Sequence, residues 1–263
     1  MRHAGRSNEA DARRRDDDLT TADLLLAACM FLGAILYTSV GHAGASAYLA
    51  LMALFGMAPA VMRPTALVLN ILVASLTSAR YFRAGLFRWR TLWPFLLGAL
   101  PFALLGGSLQ IPGEVYRTLV GAVLWIAAAR LLWPREIKAV TDPHDPPILV
   151  GALIGAGIGF LSGLTGTGGG IFLSPVLLFL GWSNPKVASG VVAVFILCNS
   201  IAGLSGNIAS VQALPPNLPL YAGNVLAGAL IGTTLGIRFG NTMVLKALGL
   251  VLVVAGFKLM GFF

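Results

Sequence analysis

The stretch GLTGTGGGIFLSP, from Gly163 to Pro175, decides how this chain folds. It holds five glycines within eight positions and lies between apolar runs that are long enough to cross a bilayer. Because each glycine in a helix interior costs roughly 1 kcal/mol relative to alanine, the cluster predicts a break in helical structure at membrane depth. Lipid offers no partners for the exposed peptide groups of such a break, so the break must be buried in protein or line a polar cavity.

The composition around this stretch is that of an integral membrane protein. Of the 263 residues, 57% are hydrophobic and 11% are charged, and the mean hydropathy is +0.84. Successive apolar runs of about 17 to 20 residues match the thickness of the hydrocarbon core at the rise of an α-helix. The sequence therefore predicts an all-α integral membrane protein, built as a polytopic helical bundle.

Acidic and metal-binding side chains are missing from the predicted spans. Nine of the ten acidic residues lie in the N-terminal tail or in a central hydrophilic stretch, and the last, Glu114, lies in a predicted loop. The spans therefore lack the carboxylates that proton-driven carriers commonly use. The three histidines and two cysteines are scattered, so we expect no metal site, no cofactor and no enzyme activity. The net charge of +8 is dispersed among loops, which argues against a nucleic-acid partner.

The apolar segments follow one plan twice. The first half has segments at 24–40, 44–62, 64–79, 91–109 and 115–133, and the second half has segments at 148–164, 170–182, 186–206, 218–237 and 243–263. Between the halves, the charged and proline-rich stretch 134–147 would end any helix and is interpreted as a linker. We therefore divide the chain into a cytoplasmic tail at 1–23, a first repeat at 24–133, the linker, and a second repeat at 148–263.

The two halves also share local features. The first half has GHAGASAYLAL at 41–51 where the second half has GTGGGIFLSPVL at 166–177. In each half the apolar run after the glycines ends near a proline, and Asn70 lies opposite Asn199 when a short gap is allowed. Interrupted hydrophobic segments at matching positions of internal repeats are typical of transporters, whose binding sites lie between the repeats.

The distribution of basic residues favours eight full spans plus two re-entrant or broken-helix segments. If the segments at 44–62 and 170–182 enter the membrane and return, the basic stretch 80–90 and the linker both become cytoplasmic, as the positive-inside rule prefers. Both termini are then cytoplasmic, and the two repeats have the same orientation. The alternative is ten crossings, five in each half, which would make the repeats inverted.

The glycine clusters predict a site for a small anion. A glycine loop followed by a helix start presents backbone N–H groups and the positive end of a helix dipole, which together bind anions without a buried counter-charge. Hydroxyl, imidazole and amide side chains near the clusters add further polar groups. The predicted substrate site consists of Gly41, His42, Gly44, Ser46, Asn70, Gly166, Thr167, Gly168, Gly169, Gly170 and Asn199.

Several polar residues have a structural alternative. His42 is either a pH-sensitive ligand or a polar group at the end of a span. Asn70 and Asn199 either contact the substrate or join helices by hydrogen bonds. Arg63 either guides an anion to the site or lies in interfacial water. Close helix packing is expected instead for the glycines that recur at every fourth residue, Gly151, Gly155 and Gly159.

The duplicated plan and the glycine motif resemble those of the TauE/SafE sulfite-exporter family of bacterial membrane transporters. The resemblance covers about residues 24–263. It implies movement of a small anion such as sulfite, sulfoacetate or thiosulfate across a bacterial inner membrane. It points to the positions that match the motif, which are Gly41, Gly44, Gly166, Gly168, Gly169, Gly170 and Pro175. The first half departs from the pattern at Ala43, Ala45 and Ala50.

Two other functions stay open on the sequence alone. In the first, the chain transports a different small solute, such as a carboxylate. In the second, the chain is a structural or assembly subunit that transports nothing. The expected partners are the lipid bilayer and a small anionic substrate. The oligomeric state, the coupling ion and the direction of transport have no marker in the sequence.

Overall fold

The computed structural model describes residues 20–132, 143–238 and 252–261. Within these ranges the regular structure is helical, as the apolar runs predict. Most of the predicted tail at 1–23, most of the predicted linker at 134–147 and part of the last predicted segment at 243–263 lie outside the described residues. The division of the chain into tail, repeats and linker therefore stays a prediction.

Nine α-helices within residues 20–132 and 143–238 form the main part of the described bundle. They are α1 (Thr21–Thr38), α2 (Ala45–Leu54), α3 (Pro59–Arg83), α4 (Trp89–Ser108), α5 (Gly113–Leu132), α6 (Ile148–Thr165), α7 (Gly170–Phe179), α8 (Pro185–Gly206) and α9 (Leu218–Arg238). A 3-10 helix, Ile208–Ala213, lies between α8 and α9, and residues 252–259 are helical. Six helices, α1, α3, α4, α6, α8 and α9, are long and apolar enough to cross a membrane. The chain is therefore a multi-pass helical membrane protein.

The break between α2 and α3 differs from the predicted one. The sequence places one segment at 44–62 and the next from Pro64, whereas in the structure α2 ends at Leu54 and α3 begins at Pro59. Gly56 has a φ angle of +77° in the turn between them, a conformation that glycine adopts at little cost. Proline suits the first position of a helix, and Pro64 is tolerated inside α3, where it is buried in the bundle.

Helices α4 and α6 lie in close contact along a row of small residues. A Cβ at Gly155 would overlap the carbonyl oxygen of Phe95, and one at Gly163 would overlap the carbonyl oxygen of Ala103. Residues later in α6 contact residues later in α4, so the two helices are parallel. The prediction that the glycines at four-residue spacing serve close packing is confirmed, because glycine is the residue that permits this approach of backbones.

The contacts of α8 define its direction. A Cβ at Gly190 would lie 3.4 Å from Cβ of Tyr81, and one at Gly203 would lie 3.7 Å from Cδ2 of Leu67. Since Gly190 is near the start of α8 and Tyr81 is near the end of α3, these two helices are antiparallel. Gly203 also contacts Gly107 near the end of α4, so α8 is parallel to α4 and to α6.

The first helices of the two halves, α1 and α6, run in opposite directions. The hydroxyl of Tyr81 donates to the carbonyl oxygen of Ser39 at 3.3 Å, so α1 and α3 end at the same side of the bundle and are parallel. Residues 39–58 therefore lead the chain back across the bundle to the side where α1 begins. The ten residues of α2 span about 15 Å of this path. These directions do not fit the similarly oriented repeats that the basic loops favoured; they fit the inverted alternative.

A first prediction concerns the packing of α4 on α6. Replacement of Gly155 by alanine should destabilise the protein by about 1 to 3 kcal/mol, because the added methyl group must displace the backbone of α4. The matched control is Gly157→Ala on the same helix, where a Cβ would meet no atom within 4 Å. Thermal unfolding of the two variants in the same detergent makes the comparison, and equal melting temperatures would contradict the described interface.

Candidate functional site

Two loops of glycine-rich backbone interrupt the helices of the bundle. Residues 39–44 join α1 to α2, and residues 166–169 join α6 to α7. Five of their glycines have positive φ angles, namely Gly41 (+77°), Gly44 (+103°), Gly166 (+85°), Gly168 (+75°) and Gly169 (+78°). L-residues with a side chain rarely adopt this conformation. The glycines that predict a helix break are therefore the residues at which the chain turns.

Each loop leads into the N-terminus of a ten-residue helix. Gly44 is the N-cap of α2 and Gly169 is the N-cap of α7, and neither helix has a side-chain cap. The first N–H groups of a helix have no partner within the helix itself. Both short helices therefore present N–H donors and the positive end of the helix dipole beside their loops.

His42 joins the two loops inside the bundle. Its Nε2 lies 3.2 Å from the carbonyl oxygen of Gly170, and its Nδ1 lies 3.1 Å from the carbonyl oxygen of Val40. A neutral imidazole donates to only one of these oxygens, whereas a protonated ring donates to both. The first loop thus contacts the first turn of α7 across 128 positions of sequence.

Asn70 on α3 and Asn199 on α8 contact the second loop from different helices. Nδ2 of Asn199 donates to the carbonyl oxygen of Gly168 at 3.4 Å, and Nδ2 of Asn70 donates to Oγ of Ser200 at 3.3 Å. Both asparagines are fully buried, and the Oδ1 of each has no hydrogen-bond partner among the described residues. A buried amide oxygen without a donor is costly, so both oxygens are available to a donor on a bound molecule.

The glycines of the second loop leave no space for side chains. A Cβ at Gly168 would overlap Nδ2 of Asn70, and one at Gly169 would lie 2.8 Å from Cγ2 of Ile158 and 2.9 Å from Nδ2 of Asn199. Glycine is thus required here both by the φ angle and by the surrounding atoms. The structure brings together one part of the predicted site: His42, Asn70, Gly168, Gly169, Gly170 and Asn199.

Other predicted site residues have partners around the loops. Oγ of Ser46 donates to the hydroxyl of Tyr37 at 2.8 Å, and the hydroxyl oxygens of Thr165 and Thr167 lie 3.0 Å apart. Tyr37 and Ser200 were not among the predicted site residues. Ser200 had a sequence signal, since it directly follows Asn199 in an apolar run, whereas nothing in the sequence pairs Tyr37 with Ser46.

Burial excludes one of the two roles that the sequence left open for Arg63. It is 6% exposed, so it does not lie in interfacial water. Its Nη1 donates to the carbonyl oxygen of Leu109 at 3.0 Å, and its Nη2 lies 2.9 Å, 2.5 Å and 2.7 Å from the carbonyl oxygens of Gly106, Gly107 and Gly163. The last carbonyls of a helix lack partners within it, so Arg63 caps the end of α4 and ties it to α6.

The fold and the loops define a class of membrane protein with broken helices that meet inside the bundle. A family model described as "Sulfite exporter TauE/SafE" matches residues 25–259. The chain therefore belongs to the TauE/SafE family, and the resemblance noted from the glycine motif is confirmed.

Two of the curated relatives match over most of the chain, and a third matches over a shorter part of it. "Probable membrane transporter protein y4hK" of Sinorhizobium fredii is 39% identical over 246 residues, which cover 92% of this chain and 100% of that protein. "Probable membrane transporter protein YjnA" of Bacillus subtilis is 26% identical over 249 residues, which cover 88% of this chain and 96% of that protein. A "probable membrane transporter protein" of Xylella fastidiosa is 31% identical over 106 residues, 39% of this chain and 41% of that protein. No solved structure matches the chain significantly.

A second prediction concerns Arg63. Its replacement by glutamine should destabilise the protein by about 3 kcal/mol, because buried carbonyl groups lose charge-assisted hydrogen bonds. Arg63→Lys should lose less stability than Arg63→Gln but should still be less stable than the wild-type protein, since an ammonium group lacks the planar fork of a guanidinium. The control is Arg80→Gln, which removes a partly exposed guanidinium bonded to Leu230 and Thr234. If thermal unfolding shows equal losses for Arg63→Gln and Arg80→Gln, the capping role is wrong.

Proposed function

We propose that the chain is a secondary transporter of a small anion, and that this anion is a sulfur-containing oxoanion or an organosulfonate. The family description and the names of the relatives support a transport function. The backbone of the two glycine loops supports an anionic substrate. The choice of sulfur rests on the family description alone.

The observation that carries the proposal is the contact between the two glycine loops. His42 of the first loop reaches the first turn of α7, so the N-termini of α2 and α7 lie close together. The N–H groups and the dipoles of both helices would then attract an anion bound between the two glycine loops, as in transporters whose broken helices bind anionic groups near the midplane. The neutral amides of Asn70 and Asn199 add donors and acceptors beside it.

An oxoanion suits this set of groups. Its oxygens accept from the backbone N–H groups of the loops and from Nδ2 of the two asparagines. A singly protonated oxoanion such as hydrogensulfite also carries one O–H donor, and the unpartnered Oδ1 of either Asn70 or Asn199 would accept it. Oxygen acceptors with directed lone pairs favour an oxoanion or a sulfonate over a simple halide, which has none.

The proposed transport mechanism uses two inverted halves. Helices of 18, 10 and 25 residues begin the first half, and helices of 18, 10 and 22 residues begin the second. Since α1 and α6 run in opposite directions, we infer inverted repeats with five passages each. The two halves would rock about the glycine loops and open the site to each side in turn.

A third prediction tests transport itself. Tracer flux into proteoliposomes should show saturable uptake of at least one of sulfite, thiosulfate, sulfoacetate and acetate, measured with and without a pH gradient. Gly169→Ala should lower that flux at least tenfold, because the new methyl group has no space beside Ile158 and Asn199 and the φ angle of +78° is strained for alanine.

The control for this test is Gly157→Ala, which should transport at the wild-type rate. Elution of both variants as a single peak in size-exclusion chromatography shows that they are folded. Equal flux for Gly169→Ala and Gly157→Ala would contradict the site. No flux of any of the four anions through folded wild-type protein would contradict the transport proposal and favour the structural-subunit alternative.

A fourth prediction separates inverted repeats from repeats of the same orientation. In inverted repeats, the N-terminal tail and the linker at 134–147 lie on opposite sides of the membrane; with re-entrant segments both lie on one side. Single cysteines introduced at Ser7 and at Pro143, in a background where Cys29 and Cys198 are replaced by alanine, should react with an impermeant maleimide from opposite sides. Labelling of both from the same side would contradict the inverted arrangement.

A further inference from the structure

A cavity of about 380 Å³ opens at the side of the bundle where α3 and α5 begin. The first residues of α3, the loop between α4 and α5, the start of α5 and the 3-10 helix after α8 line it. Its polar lining consists of Arg63, Gln110, Tyr116, Asn207 and Ser210. None of the described residues that line it is acidic.

Arg63 supplies the charge of this cavity. It is almost fully buried, and none of the described carboxylates lies within ion-pair distance of it. Carbonyl oxygens accept from Nη1 and Nη2, but Nε has no hydrogen-bond partner in the described part of the chain. A buried cation whose partners are all neutral carbonyls keeps its full charge, and an anion nearby would offset its desolvation.

Two helix N-termini add to the positive potential. Pro59, the first residue of α3, and Gly113, the first residue of α5, both line the cavity, whereas Glu114 in the first turn of α5 is exposed and does not line it. The N-terminus of a helix carries roughly half an elementary positive charge. A cleft with one sign of charge and apolar walls concentrates ions of the opposite sign.

The cavity adjoins the second glycine loop. Nη2 of Arg63 donates to the carbonyl oxygen of Gly163, and a Cβ at Gly166 would lie 3.2 Å from the carbonyl oxygen of Arg63. The hydroxyl of Tyr116 donates to the carbonyl oxygen of Thr165 at 3.0 Å. Arg63 and Tyr116 therefore line the cavity and also contact the last residues of α6, directly before the second glycine loop.

We propose that this cavity, here called the Arg63 vestibule, is a second anion-binding site that holds a small oxoanion or carboxylate before it moves to the glycine loops. The inference rests on the proposed transport function and assigns an entrance to one side of the bundle. Arg63, held in place by four carbonyl groups, supplies a fixed charge. Gln110 and Asn207 supply neutral amide donors to the same volume.

Ala209 allows the charge of the vestibule to be changed without removing Arg63. It lines the cavity from the 3-10 helix and is exposed, so larger side chains fit there. The experiment compares the wild-type protein with Ala209→Glu, Ala209→Gln and Ala209→Lys. It measures initial rates of labelled sulfite and acetate uptake into proteoliposomes, and equilibrium binding of the same two anions to the detergent-purified proteins.

The glutamate variant should raise the half-saturation and dissociation constants roughly threefold to tenfold relative to the isosteric glutamine variant, because its charge repels the anion. The lysine variant should lower both constants. The maximal rates should not change, since Ala209 does not contact the glycine loops. Added salt should reduce the differences, as expected for charges in a solvent-accessible cleft.

The outcomes separate the vestibule from the transport function. Equal constants for the glutamate, glutamine and lysine variants, with flux intact, would overturn the vestibule and leave the transport proposal standing. Charge-dependent binding without flux in any variant would support the vestibule and overturn transport. Neither binding nor flux in any of the four proteins would overturn both.

Discussion

The structure depends on the requirement that peptide groups inside an apolar bundle find partners within the protein. A helix that ends in water leaves its last carbonyls to the solvent, but α4 ends beside other helices. Arg63 resolves this by donating to the carbonyl groups at the end of α4 and to one in α6. His42 serves the irregular backbone in a similar way, since both of its ring nitrogens lie near carbonyl oxygens. Arg63 and His42 thus supply hydrogen-bonding groups to backbone carbonyls where the helices break.

These contacts require helices that approach closely, and small residues provide that approach. Gly155 and Gly163 bring the backbone of α6 against α4, so the end of α4 comes within reach of a side chain on α3. The same logic applies at the second loop, where Gly168 and Gly169 fit against Asn70 and Asn199. Glycine therefore has two functions in one chain: it joins helices where it recurs along a face, and it turns the backbone where it is clustered.

Much of the fold and part of the site follow from local features of the sequence. Apart from the break between α2 and α3, apolar runs predict the described helices to within a few residues, and the glycine clusters predict both loops, because hydrophobicity and glycine conformation act over neighbouring residues. Arg63 shows where local reasoning fails. The sequence leaves open whether it guides an anion or lies in interfacial water, and it does not indicate the carbonyl partners that bury it, which lie 43 to 100 positions away in sequence. Pro64 is similar, since burial in the bundle outweighs its local preference to end a helix.

The sequence by itself determined that the chain is a helical membrane protein, where its helices break, and which residues turn the chain at those breaks. Only the tertiary structure decided that the two loops meet through His42 and Gly170, that α1 and α6 run in opposite directions, and that Arg63 caps a helix beside a cavity. The physical reason is the range of the interactions. Hydrophobic periodicity and glycine conformation are properties of adjacent residues, whereas helix direction and loop contact depend on packing between residues that are far apart in the chain.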